Sequence, residues 1–265
     1  SLFRVDLPFT PYHKALEART LLDAFVYGLI AERRADERDT GDVLSMLLAA
    51  RDEDGGSMTD VQARDQCMTL IAAGHETTSN ALTWTFYLLD QYPDVRRTLV
   101  AELASVLGRR TPTVDDLPHL PYLDWVITES MRMYPPAWIV GRTALVPFER
   151  QGYSFPAGMR VMMSQWVMHH LPDLWGDPEV FRPERWDPAR GEKVPQGAYY
   201  PFGMGTRMCI GMPFAQLEAR LVLATMLQRF TPQKAPEWQA RPLPRVTLRM
   251  RGGLPVTLAA TTATP

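Results

Sequence analysis

Ten residues constrain this chain more than any other stretch. They are Phe-Gly-Met-Gly-Thr-Arg-Met-Cys-Ile-Gly at positions 202–211. Cys209 sits among Gly203, Gly205 and Gly211, and a run with helical spacing starts at once after it. Glycine carries no Cβ, so the backbone there can turn sharply and come close to a large flat ligand. Pro213 suits the first turn of the following helix, where a missing N–H costs nothing. The positive end of that helix would then lie near Cys209 and favour its thiolate. A cysteine thiolate bound to haem iron pushes electron density onto the metal and favours O–O cleavage. Other readings of the loop fail on spacing. A dinucleotide loop needs a third glycine where Met208 stands, and a strand before it. A P-loop needs Gly-Lys followed by Ser or Thr. A zinc site needs more cysteines or paired histidines nearby. A surface turn with an incidental cysteine is the remaining alternative.

The ten residues resemble the F-x-x-G-x-R-x-C-x-G haem loop of the cytochrome P450 haem-thiolate monooxygenases. The resemblance implies that Cys209 is the iron ligand of a haem b (iron protoporphyrin IX). It also implies that Arg207 pairs with a haem propionate and that Phe202 and Gly211 are further cofactor-binding positions. The implied fold is mainly α with a small β part, the C-terminal portion of the P450 architecture. On this reading residues 1–265 are a single partial domain that lacks the N-terminal half of the fold.

Composition agrees with a large globular core. The chain has 265 residues, 46% hydrophobic and 22% charged, with a formal net charge of −2. That balance gives no reason to expect nucleic-acid binding. No run of eighteen apolar residues is present, so no segment reads as a membrane span. No signal peptide is visible. A cytoplasmic, bacterial type is expected, with an anchor in a missing N-terminal part left open. The two cysteines, Cys67 and Cys209, do not suggest a disulfide scaffold. Cys67 reads as a small core hydrophobe.

Periodicity places the elements. Helices are expected over 12–34, 42–50, 59–90, from Pro93 to Gly108, and from Pro121 to just before Pro135-Pro136. Thr59 and Gln62 have capping-box spacing at the start of the third. That helix reads as buried and central from Leu70 onward. Strand-like pieces flank a turn at Gly158, over 153–155 and 160–163. Residues 175–197 form a long irregular segment. A helix over 212–230 precedes a closing β-hairpin over 242–259, turning at Gly252-Gly253.

Two further constellations fall inside this frame. Ala-Gly-His-Glu-Thr-Thr at 73–78 puts small and polar residues in the middle of an apolar helix. Glycine costs about 1 kcal/mol against alanine there, and a carboxylate is expensive to bury. Local rules are broken in this way mostly at functional sites. A kinked helix with a wetted polar face is the structural alternative. The stretch resembles the family's A-G-x-[DE]-T-[TS]. The resemblance implies that Gly74 lets the helix lie against haem, that Thr77 holds dioxygen and an ordered water, and that Glu76 relays protons as an acid acting through water. His75 reads as a spacer. Glu129 and Arg132 share a helix face at a spacing of three, and Pro183-Glu184-Arg185-Trp186 follows in the family's order. This implies a buried triad of Glu129, Arg132 and Arg185 that fixes the irregular segment. Arg142 and His169 match positions that the family uses for propionate contacts.

The reading is a haem-dependent monooxygenase that inserts one atom of dioxygen into an apolar organic substrate. Electrons would come from a separate ferredoxin, flavodoxin or reductase. Pocket positions implied by the family are Ile71, Ala72, Trp138, Ile139 and Val140. Three rivals stand beside it: a peroxide-driven peroxygenase of the same fold, a non-catalytic haem sensor, and an inert fragment that binds no haem.

Overall fold

The computed structural model describes residues 6–36 and 39–260. The chain divides into two compact units, 1–75 and 76–265, and the boundary falls inside one helix.

The first unit contains α1 (Pro11–Asp36), α2 (Val43–Ala49) and the first half of α3 (Asp60–Gln91). Local chemistry sets these ends. Asp42 caps α2 by accepting from the Ser45 amide at 2.8 Å. Arg33 forks onto the same carboxylate at 2.6 and 2.9 Å, and holds the Asp42 carboxyl well below the usual carboxylate range. Thr59 and Gln62 form a reciprocal cap on α3. The Gln62 amide donates to Thr59 Oγ1 at 3.2 Å, and the Thr59 amide donates to Gln62 Oε1 at 2.9 Å. Val26, Ile30 and Ala63 make a small core, with Leu44, Leu48, Cys67 and Met68 packed on it. The expectation that α3 is buried from Leu70 onward does not hold in this unit. Leu70 and Ile71 are exposed, because nothing in the unit covers that part of the helix.

The second unit holds the rest of α3, α4 (Pro93–Leu107), α5 (Pro121–Met133), α6 (Gln165–His169), α7 (Pro172–Trp175) and α8 (Met212–Arg229). Pro93 and Pro121 sit in first turns, and Gly108 closes α4 at φ +57°. α5 is the central element, buried on nearly every side. Leu123, Val126 and Ile127 of α5 pack with Leu99 and Leu103 of α4 and with Leu223 and Leu227 of α8 in one core. The second half of α3 joins that core through Ala81, Leu88 and Leu89.

Among the described residues, four two-stranded antiparallel ribbons complete the unit. β1 (Val140–Thr143) pairs with β4 (Arg160–Met163), and β2 (Phe148–Arg150) with β3 (Tyr153–Phe155). β5 (Phe230–Lys234) pairs with β8 (Val256–Ala260), and β6 (Pro242–Pro244) with β7 (Leu248–Met250). Two sequence expectations are corrected here. The strands on either side of Gly158 belong to different ribbons, and so do the segments on either side of Gly252-Gly253. In each case the nearer turn wins. β3 returns onto β2 through Gly152, at φ +81°. β7 returns onto β6 through a turn in which the Arg245 amide donates to the Thr247 carbonyl at 3.0 Å. Strands of three to five residues carry too little pattern for sequence to rank their partners.

Candidate active site

The loop at 202–211 is held by its own backbone. The Cys209 amide donates to the Phe202 carbonyl at 2.9 Å, and the Gly203 amide to the Tyr200 carbonyl at 3.0 Å. Gly203 and Gly205 have φ of +75° and +71°, where a side chain is strained. A short 3₁₀ turn, Gly205–Arg207, leads to Cys209, and α8 begins three residues later behind Gly211. A Cβ on Gly211 would lie 3.8 Å from the Cys209 sulfur. The sulfur is a free thiol and is exposed.

The Glu76–Thr77 pair opens the second unit, on α3. Ser79 and Thr83 donate their hydroxyls to carbonyls within the helix, at 3.0 Å to Glu76 and 2.7 Å to Ser79. The Glu76 carboxylate turns to the β6–β7 ribbon. Arg249 Nε donates to Oε1 and Nη2 to Oε2, each at 2.5 Å, and the Thr247 hydroxyl donates to Oε1 as well. Gly74 lies on the first-unit side of the boundary and has nothing within 4 Å of a would-be Cβ.

Glu129, Arg132 and Arg185 meet in the interior. Glu129 and Arg132 are fully buried and Arg185 nearly so. Arg132 grips Glu129 with two bonds of 2.9 Å, and Arg185 Nε lies 3.4 Å from the same carboxylate. The remaining Glu129 capacity is filled by Trp186 Nε1 at 2.9 Å and the Arg182 amide at 3.3 Å. Arg132 also donates to the His169 carbonyl, and Arg185 to the Trp175 carbonyl. Two guanidinium groups and one carboxylate thus pin α5 to the irregular segment that leads to the cysteine loop.

Comparison with known proteins completes the picture. The family model for cytochrome P450 matches residues 2–251. The chain belongs to the cytochrome P450 family. Cyclooctatin synthase of Streptomyces melanosporofaciens is 40% identical over 91% of this chain and 53% of its own length. Pentalenene oxygenase of Streptomyces avermitilis is 41% identical over 84% of this chain and 50% of its own. The solved structure of retinoic acid bound cyanobacterial CYP120A1 superposes with a TM-score of 0.90 at 33% identity. It covers 97% of this chain and 60% of that one. The chain therefore spans about half the length of the curated relatives it matches.

P450 membership makes haem b the cofactor, and the loop residues fit it on their own chemistry. Exposed Cys209 is flanked in the chain by exposed apolar residues, Met208, Ile210 and, in the first turn of α8, Phe214, with Ile210 93% exposed. Arg207 makes no ion pair or hydrogen bond among the described residues. A soft ligand, an apolar rim and an uncommitted cation suit a flat apolar group with an anionic edge. No cluster of three His, Cys, Asp or Glu residues exists among the described residues to hold a bare metal ion. Arg142 lies exposed on β1, opposite Val161, with one side-chain bond to the Gly141 carbonyl.

His169 is corrected. Its ring is fully buried and both nitrogens are spent on backbone. Nδ1 lies 3.2 Å from the Arg132 carbonyl, and Nε2 accepts from the Tyr200 amide at 3.1 Å. No ring nitrogen is left for a propionate. Burial pushes its pKa down to about 4, so the ring is neutral at pH 7. It ties α6 to the residues just before the loop. Sequence reasoning also missed Thr247 and Arg249. The available signal was the polar alternation of Thr247, just before β7, and Arg249 within it, beside Glu76 and Asn80 four apart on an apolar helix.

Among the described residues no helix is long and apolar enough to cross a membrane.

Proposed function

We propose that this chain carries the haem-thiolate and proton-handling residues of a P450 monooxygenase that acts on an apolar small molecule. The observation that carries the reading is the free, exposed Cys209 thiol in a backbone-clamped glycine loop at the head of α8. Haem bound there supplies dioxygen activation, with one oxygen atom going to substrate and the other to water. Cys209 would hold the iron, and Arg207 and Arg142 would neutralise propionates. Phe202 fixes the loop through its carbonyl and packs against the core. Gly211 leaves room beside the sulfur. Gly74 would let α3 approach the flat ligand. Thr77 would orient dioxygen and a water, and Glu76 would pass protons inward by way of water. Glu129, Arg132 and Arg185 keep the loop's foundation rigid.

For the substrate class, relatives 41% identical to this chain include a pentalenene oxygenase and a cyclooctat-9-en-7-ol 5-monooxygenase. We propose an apolar molecule of that sort, with electrons from a separate ferredoxin, flavodoxin or reductase. The test is turnover by the protein as it occurs in its cell, given dioxygen and an electron donor. Thr77→Ala should divert about nine-tenths or more of the electrons from product to peroxide, because a positioned proton donor contributes about a hundredfold or more. Full coupling in that variant would remove Thr77 from the mechanism. Equal turnover driven by peroxide alone would favour the peroxygenase reading.

A further inference from the structure

Three side chains on one face of α3 meet the β6–β7 ribbon in sequence. Glu76, Asn80 and Trp84 are spaced by four, so they stack along the helix. Trp84 Nε1 donates to the Leu248 carbonyl at 3.1 Å in a buried contact. One turn earlier, Asn80 Nδ2 donates to Thr247 Oγ1 at 3.0 Å. One turn earlier again, Glu76 receives Arg249 and Thr247. The ribbon is anchored from a second side, because the Leu248 amide donates to the Pro136 carbonyl at 2.9 Å. The contact is therefore a built joint and not a chance meeting of two surface charges.

The hydrogen-bond directions are informative. Asn80 donates to the Thr247 oxygen, which turns the Thr247 proton towards Glu76. Arg249 gives a parallel pair of N–H bonds to the two Glu76 oxygens. Contact with Glu76 in turn raises the Arg249 pKa. Arg249 is half exposed, while the Thr247 and Glu76 side chains lie deeper. The carboxylate thus sits at the inner end of a contact that begins in water. Thr77, the next residue, projects about 100° further round the helix. Arginine does not release protons in proteins, so Arg249 cannot itself carry one.

We propose that Arg249 and Thr247 are positioning residues that hold Glu76 at the solvent boundary, where it collects protons for delivery towards Thr77. This rests on the monooxygenase reading. If Arg249 served only to dock the ribbon, its loss would lower stability and leave electron use unchanged. If it positions the acid, its loss uncouples electron use even where the fold is intact.

The experiment compares wild type with Arg249→Ala, Arg249→Lys, Thr247→Val and Glu76→Gln in the protein as it occurs in its cell. The first arm needs no cofactor chemistry. Thermal unfolding of Glu76→Gln, Arg249→Ala and the double variant should show that the two changes are not additive. Additive shifts would overturn the proposal. The second arm reads product formed per electron pair consumed. Arg249→Ala and Thr247→Val should each lower it at least about tenfold, part of the roughly hundredfold at stake when an acid is fully misplaced, with substrate KM unchanged. Arg249→Lys should recover only part of the loss, since the charge is restored without the fork. Coupling in Arg249→Ala within twofold of wild type would overturn the proposal. A wild-type protein that forms no product with any donor is a different failure: it removes the monooxygenase reading itself.

Discussion

Glu129→Gln isolates what the buried ion cluster contributes. The change keeps the side chain's shape and removes one negative charge. Arg132 is fully buried and Arg185 is 5% exposed, and both direct donors at that carboxylate. The amide that replaces it presents two donors of its own to a site already crowded with donors. Arg132 would then sit in a dry interior without a counter-charge, and Arg185 would keep only the half-exposed Asp177 carboxylate at 3.0 Å. Removing one partner from a buried pair costs about 3–5 kcal/mol. For a unit of this size, that lowers the unfolding midpoint by roughly 6–20 °C. Urea and thermal unfolding followed by tryptophan fluorescence give the number, and Trp186, bonded to Glu129, sits at the perturbed spot. A loss below about 1 kcal/mol would match an exposed pair and would refute the view that this cluster fixes the segment before the loop.

Two other perturbations probe the same region. Gly203→Ala places a Cβ at φ +75°, and should cost about 1–2 kcal/mol in stability and weaken haem retention. Unchanged stability and haem titration would show that the loop tolerates another backbone path. His169 bears on pH. Its folded pKa of about 4 lies below the ordinary 6.5, so the unfolded chain binds the extra proton between those values. Its contribution is complete above pH 6.5 and falls by about 3 kcal/mol as pH drops through that window towards 4. His169→Gln should flatten that part of the stability-versus-pH curve. An identical slope in the variant would contradict the buried neutral ring.

What the sequence made legible was local. The cap at Thr59, the prolines opening α4 and α5, and the glycine loop are decided within a few residues. Short-range chemistry fixes them whatever surrounds them. The ribbons were less legible, because β8 passes over the nearer β7 and pairs with the distant β5 by tertiary fit. A glycine pair invited a hairpin that the chain does not make. The reading of α3 as buried from Leu70 onward succeeded at Trp84, Leu88 and Leu89 and failed at Leu70 and Ile71. An apolar run says what a helix can bury, and a covering partner decides what it does bury. His169 was misplaced because a histidine beside family motifs looks like a ligand, while the backbone amide it serves cannot be seen in sequence. The Glu76–Arg249 contact joins residues 173 apart, beyond any local pattern.

The central claim is that the Cys209 sulfur binds haem iron. Carbon monoxide added to the reduced, haem-loaded protein measures this directly. The wild type should show the red-shifted Soret band that a thiolate ligand produces, and Cys209→Ser should lose it. The same band in both proteins would place the ligand elsewhere and contradict the account.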